Sequence, residues 1–136
     1  MEKVVFIVED DLIQQKMLRH HFEQMLGNYV VKTFDDPKDM LDNLKEKPFA
    51  IVLDHYFSNK PGETGLDYLM VLKKKHASIP VVYYTTCTDD AVRTQVMKLG
   101  AEQYITKDSA SLVRLRTALD LIGSKKTSFF KKLFNR

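Results

Sequence analysis

Phe49-Ala50-Ile51-Val52-Leu53-Asp54 is an unbroken apolar run closed by a carboxylate. A short continuous run of this kind reads as a strand covered on both faces, as in a parallel sheet. An acid at the end of such a strand loses hydration and needs partners. Three other apolar runs supply them. Val4-Val5-Phe6-Ile7-Val8 leads to Asp10 and Asp11, Val81-Val82-Tyr83-Tyr84 to Thr85, and Tyr104-Ile105-Thr106 to Lys107. Three acids, a hydroxyl and an ammonium therefore fall just beyond apolar strands.

Between these runs the period becomes helical. Residues 12–26 carry Ile13, Met17, Leu18, His21, Phe22 and Met25 at helical spacing, with Gly27-Asn28 as the stop. Residues 29–34 read as the second strand, and Asp36-Pro37 opens a helix that buries Met40, Leu41 and Leu44. After Asp54 comes a loop rich in turn formers, then a third helix marked by Leu66, Leu69, Met70 and Leu72. Pro80 introduces the fourth strand, Asp89-Asp90 begins a fourth helix, and Gly100 ends it. Residues 102–106 form a fifth strand, short and less apolar, expected near an edge; Ser109 caps a fifth helix through Leu115, Leu119 and Ile122. Five strand–helix repeats imply a doubly wound three-layer α/β domain with a parallel sheet. Ligands bind such sheets beyond the carboxyl ends of the strands, where every residue singled out above falls.

The chain of 136 residues fits one domain with a single core, and one cysteine, Cys87, excludes an internal disulfide. No run approaches the roughly 20 apolar residues that span a bilayer, and Met1-Glu2-Lys3 has no signal-peptide layout, so a cytoplasmic location is expected. The net charge of +3 is unevenly spread. Residues 123–136 hold Lys125, Lys126, Lys131, Lys132 and Arg136 with no acid, so the other 16 basic residues face all 18 acids and the body is −2. A tail is basic here, not a nucleic-acid-binding surface.

Asp10, Asp11 and Asp54 brought together raise one another's pKa unless a cation intervenes. Carboxylate oxygens in small number suit Mg²⁺. Lys107 is a point charge for a phosphate oxygen and Thr85 a hydroxyl donor. An aspartate is itself a nucleophile toward phosphorus, forming an aspartyl phosphate. Catalysis is then positioning and charge neutralisation.

Taken in order, the acid pair after the first strand, VLD (52–54), GLD (65–67), PVVYYT (80–85) and GAEQYITK (100–107) resemble the receiver domain of two-component response regulators, from residue 3 to about 122. The resemblance implies a flavodoxin-like fold of strand order 2-1-3-4-5. It implies that Asp54 accepts a phosphoryl group from a histidine kinase or a histidine phosphotransfer protein. Asp10 and Asp11, with Asp54 and the Tyr56 backbone carbonyl, would hold Mg²⁺. Thr85 and Lys107 would contact the phosphoryl oxygens, and Tyr104 matches the switch aromatic that swings inward when the threonine moves. The output is then a protein target met through the fourth helix, fifth strand and fifth helix, by a monomer or a phosphorylation-dependent dimer. A stand-alone receiver of this kind does not bind nucleic acid and is no enzyme beyond its own phosphorylation and dephosphorylation.

This chain departs from the family pattern at four points. Pro61, Gly62 and Gly65 arrive about three residues late, so the loop 55–64 is long and alters access to Asp54. Asp108 replaces the usual proline after Lys107, and Thr86 stands where a small residue is usual. Tyr56 and Cys87 occupy positions that tune dephosphorylation.

Plainer readings compete with these. Asp10-Asp11 also suits a helix cap, and Tyr104 an edge-packing role. His20 and His21 invite a phosphohistidine reading, but helical spacing sets His21 with Met17 and Met25, which favours partial burial. His55 points away from Asp54 by strand alternation, and Cys87 lacks a base or second thiol. A nucleotide-binding enzyme of this fold needs a glycine-rich loop after the first strand, and Glu9-Asp10-Asp11-Leu12 is its electrostatic opposite. A receiver-like scaffold closed by the long loop is the other rival. The chain divides into a receiver, 1–122, and a basic aromatic tail, 123–136, in which Phe129, Phe130, Leu133 and Phe134 alternate with Lys131 and Lys132. The tail either continues the fifth helix or forms a short separate one; its aromatics are expected to pack on the domain, with partner docking or weak attachment to an anionic membrane as alternatives.

Overall fold

The computed structural model describes residues 2–134. Met1, Asn135, Arg136 and the expected contact of His21 with the Met25 side chain lie outside the described residues. The elements alternate strictly: β1 (Lys3–Val8), α1 (Leu12–His21), β2 (Tyr29–Phe34), α2 (Pro37–Asp42), β3 (Ala50–Leu53), α3 (Gly65–Lys75), β4 (Val81–Thr85), α4 (Asp90–Lys98), β5 (Gln103–Thr106) and α5 (Ser111–Phe134). All pairs are parallel in the order β2-β1-β3-β4-β5, the flavodoxin-like order expected.

Strand alternation divides the core into two layers. Phe6, Val8, Ile51, Leu53, Val81 and Tyr83 meet α2, α3 and α4 through Met40, Leu69, Leu72 and Val96. Val5, Ile7, Val52, Val82 and Ile105 meet α1 and α5 through Leu18, Leu115, Leu119 and Ile122. Burial of each such side chain is worth roughly 1.5–3 kcal/mol.

Capping side chains fix where the helices begin, and so where the loops at the carboxyl edge lie. Asp11 accepts from the N–H groups of Ile13 and Gln14, Asp36 from Lys38 and Asp89 from Ala91. Thr64 and Asp67 form a reciprocal capping box on α3. Gly65 opens that helix because a Cβ there would collide with the Asp54 carbonyl oxygen and the Tyr83 hydroxyl.

Two boundaries differ from expectation, and the tail takes one of the two courses that the sequence leaves open. The first helix ends at His21 and passes into a turn of π-helix, Phe22–Leu26, which Gly27 stops with φ 52°. Asp108, not Ser109, holds the entry to α5: its carboxylate accepts from the Ala110 N–H at 2.8 Å and it ion-pairs with Arg114 at 2.8 Å. The tail leaves Phe129, Phe130, Leu133 and Phe134 largely exposed rather than buried on the domain. It continues α5 without a break through Gly123 to Phe134.

Candidate functional site

β1, β3 and β5 deliver Glu9, Asp54 and Lys107 to one point at the carboxyl edge of the sheet. The Lys107 ammonium lies 2.7 Å from Oε2 of Glu9 and 3.1 Å from Oδ2 of Asp54. All three side chains are nearly buried, with 11% exposure at Lys107, 5% at Glu9 and 8% at Asp54, so screening by solvent is weak. The other Asp54 oxygen, Oδ1, accepts from the His55 N–H at 2.6 Å. Thr85, fully buried at the end of β4, accepts from the Cys87 N–H at 3.2 Å.

Two carboxylates share one lysine, and the electrostatics reflect that shortage. Burial first, then the neighbouring Asp54, pushes the Glu9 carboxyl up to about 7, against the pull of Lys107. Burial acts on Asp54 in the same direction. Its bond with Glu9, the Lys107 charge and the Thr85 hydroxyl outweigh burial and hold Asp54 below the usual carboxylate range. Lys107 loses hydration by burial, yet the two acids raise it above its ordinary value. Burial and the crowding of the two acids thus oppose a second negative charge beside Lys107.

A cleft of about 390 Å³ opens over this group, and Asp10, Asp11, Tyr56, Ser58 and Thr86 also line it. Asp10 is turned to the loop after β3, where Ser58 donates to its Oδ2 from both the N–H at 2.7 Å and the hydroxyl at 2.6 Å. The loop is tied further along by Asn59 to the Asp35 carbonyl at 3.0 Å and by Lys60 to Asp36 at 3.1 Å. Among the described residues no three acid, histidine or cysteine side chains converge as a metal-ligand cluster.

Of the expected residues, Asp54 and Lys107 are in direct contact, with Thr85 beside them. Asp10 and Tyr56 line the cleft. Asp11 lines it too, but its Oδ1 caps α1 at 2.8 Å from the Ile13 N–H. Glu9 is the residue that sequence reasoning missed. Its signal was position, since it is the first acid after the buried run of β1. Tyr104 is buried, stacked on Tyr83 with centroids 5.5 Å apart, and donates to the Cys87 carbonyl at 2.6 Å; Arg93 lies 4.6 Å from its ring. His55 does turn away from Asp54, sharing a 2.7 Å hydrogen bond between Nδ1 and the Tyr83 hydroxyl. Cys87 is free and buried.

The sequence matches the family model for the response regulator receiver domain over residues 5–120. It is 29% identical over 123 residues to the response regulator GacA of Pseudomonas syringae pv. syringae, covering 90% of this chain and 55% of that one. The chain spans about half the length, or less, of the curated relatives it matches. The fold superposes with TM-score 0.79 on the signal receiver domain of a putative Luxo repressor protein from Vibrio parahaemolyticus, at 17% identity, covering 94% of this chain and 98% of that one. On the Mn(2+)-bound form of response regulator Rcp1 the TM-score is 0.68 at 21% identity, covering 88% of each chain. The parallel sheet, the acidic edge with its lysine and the match over most of the sequence lead to one conclusion: this chain belongs to the response regulator receiver domain family.

Proposed function

We propose that this domain is a phosphorylation switch in which Asp54 attacks a phosphoryl group offered by a histidine kinase or a histidine phosphotransfer protein. The observation that carries the reading is the Lys107 ammonium held at 3.1 Å from the Asp54 carboxylate inside a polar cleft. Asp54 supplies an ionised oxygen as nucleophile; as its O–P bond forms, the donor's P–N bond breaks and the donor histidine leaves as its imidazole. Lys107 and Thr85, both beside the carboxylate, would donate to the added phosphoryl oxygens, and the His55 N–H holds the carboxylate in place.

The donor set suits Mg²⁺. Glu9 and Asp54 crowd two nearly buried carboxylates onto the single Lys107 ammonium, and a small divalent cation on carboxylate oxygens offsets such crowding. Asp10, Asp54 and the Tyr56 carbonyl would hold it, with Glu9 and Asp11 lining the same cleft, and it would neutralise charge on the phosphoryl oxygens. Response regulator Rcp1, which shares this fold, has a Mn(2+)-bound form, in keeping with a divalent cation for this domain. Thr85 and Tyr104 form the switch: Thr85 turning toward the phosphoryl group would release its bond from the Cys87 N–H, and the α4-β5-α5 face would read the change. That face meets the downstream protein.

Incubation with acetyl phosphate and Mg²⁺, read by intact-protein mass, tests the reading. Wild type should gain one phosphoryl mass and Asp54→Asn none. Equal labelling of both overturns the assignment to Asp54. A second reading, a scaffold shut by its long loop, draws on the Ser58, Asn59 and Lys60 ties. It requires a wild type that takes no label, whereas the cleft beside Asp54 favours the switch.

A further inference from the structure

α5 runs on past the sheet. Ile122 is its last buried residue, yet the helix continues to Phe134, an overhang of about 18 Å. The overhang carries four large apolar side chains in solvent: Phe129 at 64% exposure, Phe130 at 56%, Leu133 at 54% and Phe134 at 75%. At roughly 100° per residue these four fall within an arc of about 140°, continuous with the stripe that Leu115, Leu119 and Ile122 bury. Lys131 and Lys132 occupy the opposite arc, and no acid follows Asp120.

The end of the molecule from which this helix projects is basic as a whole. In a parallel α/β sheet every helix ends at the amino edge of the strands. Here Lys45 and Lys47 follow α2, Lys74 and Lys75 close α3, and Lys98 closes α4, all exposed. The acids on this edge are largely engaged, Glu46 with Lys32 at 2.8 Å and Glu102 with Lys125 at 3.2 Å. The opposite edge holds Asp36, Asp54, Asp67, Asp89 and Asp108 at strand ends and helix starts. Each placement alone suits a helix dipole, but several parallel helices sum to a molecule with an acidic pole and a basic one.

We infer that the basic pole and the α5 overhang form a docking surface for an anionic lipid bilayer. An apolar arc of phenylalanines backed by lysines, with no acid among them, is the pattern of a helix that seats in the headgroup boundary. The surrounding lysines add attraction to anionic headgroups. A second copy meeting this pole face to face would bring the exposed lysines of the two basic ends, Lys45, Lys47, Lys74, Lys75 and Lys98, against one another. Docking by this pole leaves the Asp54 edge facing away from the bilayer, open to a phosphodonor.

The test uses the full chain and sedimentation with phosphatidylcholine vesicles, with and without phosphatidylglycerol. Binding should require phosphatidylglycerol and fall as salt rises. Phe130→Ser with Phe134→Ser, and separately Lys131→Glu with Lys132→Glu, should each lower partitioning by at least roughly tenfold, with the circular dichroism spectrum unchanged. Equal binding to both vesicle types, no binding, or full binding by either double variant overturns the inference. So does lipid-independent self-association, or a preference for an acidic protein, lost in the lysine variant while vesicles are ignored.

Discussion

Ser58 gives two hydrogen bonds to a single oxygen of Asp10, from its N–H and its hydroxyl. A cation drawing on that oxygen must compete with both donors. Removing the hydroxyl in Ser58→Ala frees about 1 kcal/mol of such competition, so Mg²⁺ should bind roughly fivefold tighter by isothermal titration calorimetry. Unchanged or weaker binding would make Ser58 a residue that positions Asp10 for the metal. Neither Ser58 nor Glu9 was legible in the sequence as part of the site. The Ser58 contact joins residues 48 apart and depends on the path of a loop, which no periodicity encodes. Three acids in a row after β1 mark a site, but only the burial of the strand end decides that Glu9 turns to Lys107. Asp54, Thr85 and Lys107 were legible because each follows a continuous apolar run, whose end fixes its position along the strand.

His21 stands at the junction of α1 and the π-turn, its ring edge-on to Phe22 with centroids 5.9 Å apart. Nε2 is buried without a hydrogen-bond partner. Burial first, then the positive charges of Arg116 and His20, hold the imidazole below its ordinary value of 6.5. A base whose folded pKa is depressed is protonated first in the unfolded chain. Its contribution to stability is therefore present above about pH 6.5 and is lost as pH falls below it. The urea midpoint of wild type should fall more steeply from roughly pH 7.5 to 5.5 than that of His21→Gln; parallel declines would clear His21 of the effect. At this scale the strand–helix alternation was plain from the change of period and the caps at Asp36 and Asp89. The π-turn was hidden because Phe22 keeps helical spacing on either reading. Gly123 looked like a boundary, yet one glycine costs a helix only about 1 kcal/mol. Lys126 holds the continuing turn by donating to the Phe49 carbonyl at 2.9 Å and lying 4.3 Å from its ring centroid.

At the scale of the molecule, the overhang is nearly separable from the core. Beyond Gly123 no described side chain is fully buried, and the ties back to the domain are Lys126 on Phe49 and Lys125 on Glu102. A chain ending at residue 123 should lose only about 1 kcal/mol of stability in a thermal melt and keep acetyl-phosphate labelling at Asp54. A loss several times larger would make the last turns part of the core. The separation of acidic from basic ends has a further consequence for handling the protein. A net charge of +3 is an average that neither end presents. The domain carries a dipole as well as its net charge, so an electric field turns it as well as moving it. Cation and anion exchange resins then each find one end to hold, so its elution reports which end faces the matrix and not the sum of its charges.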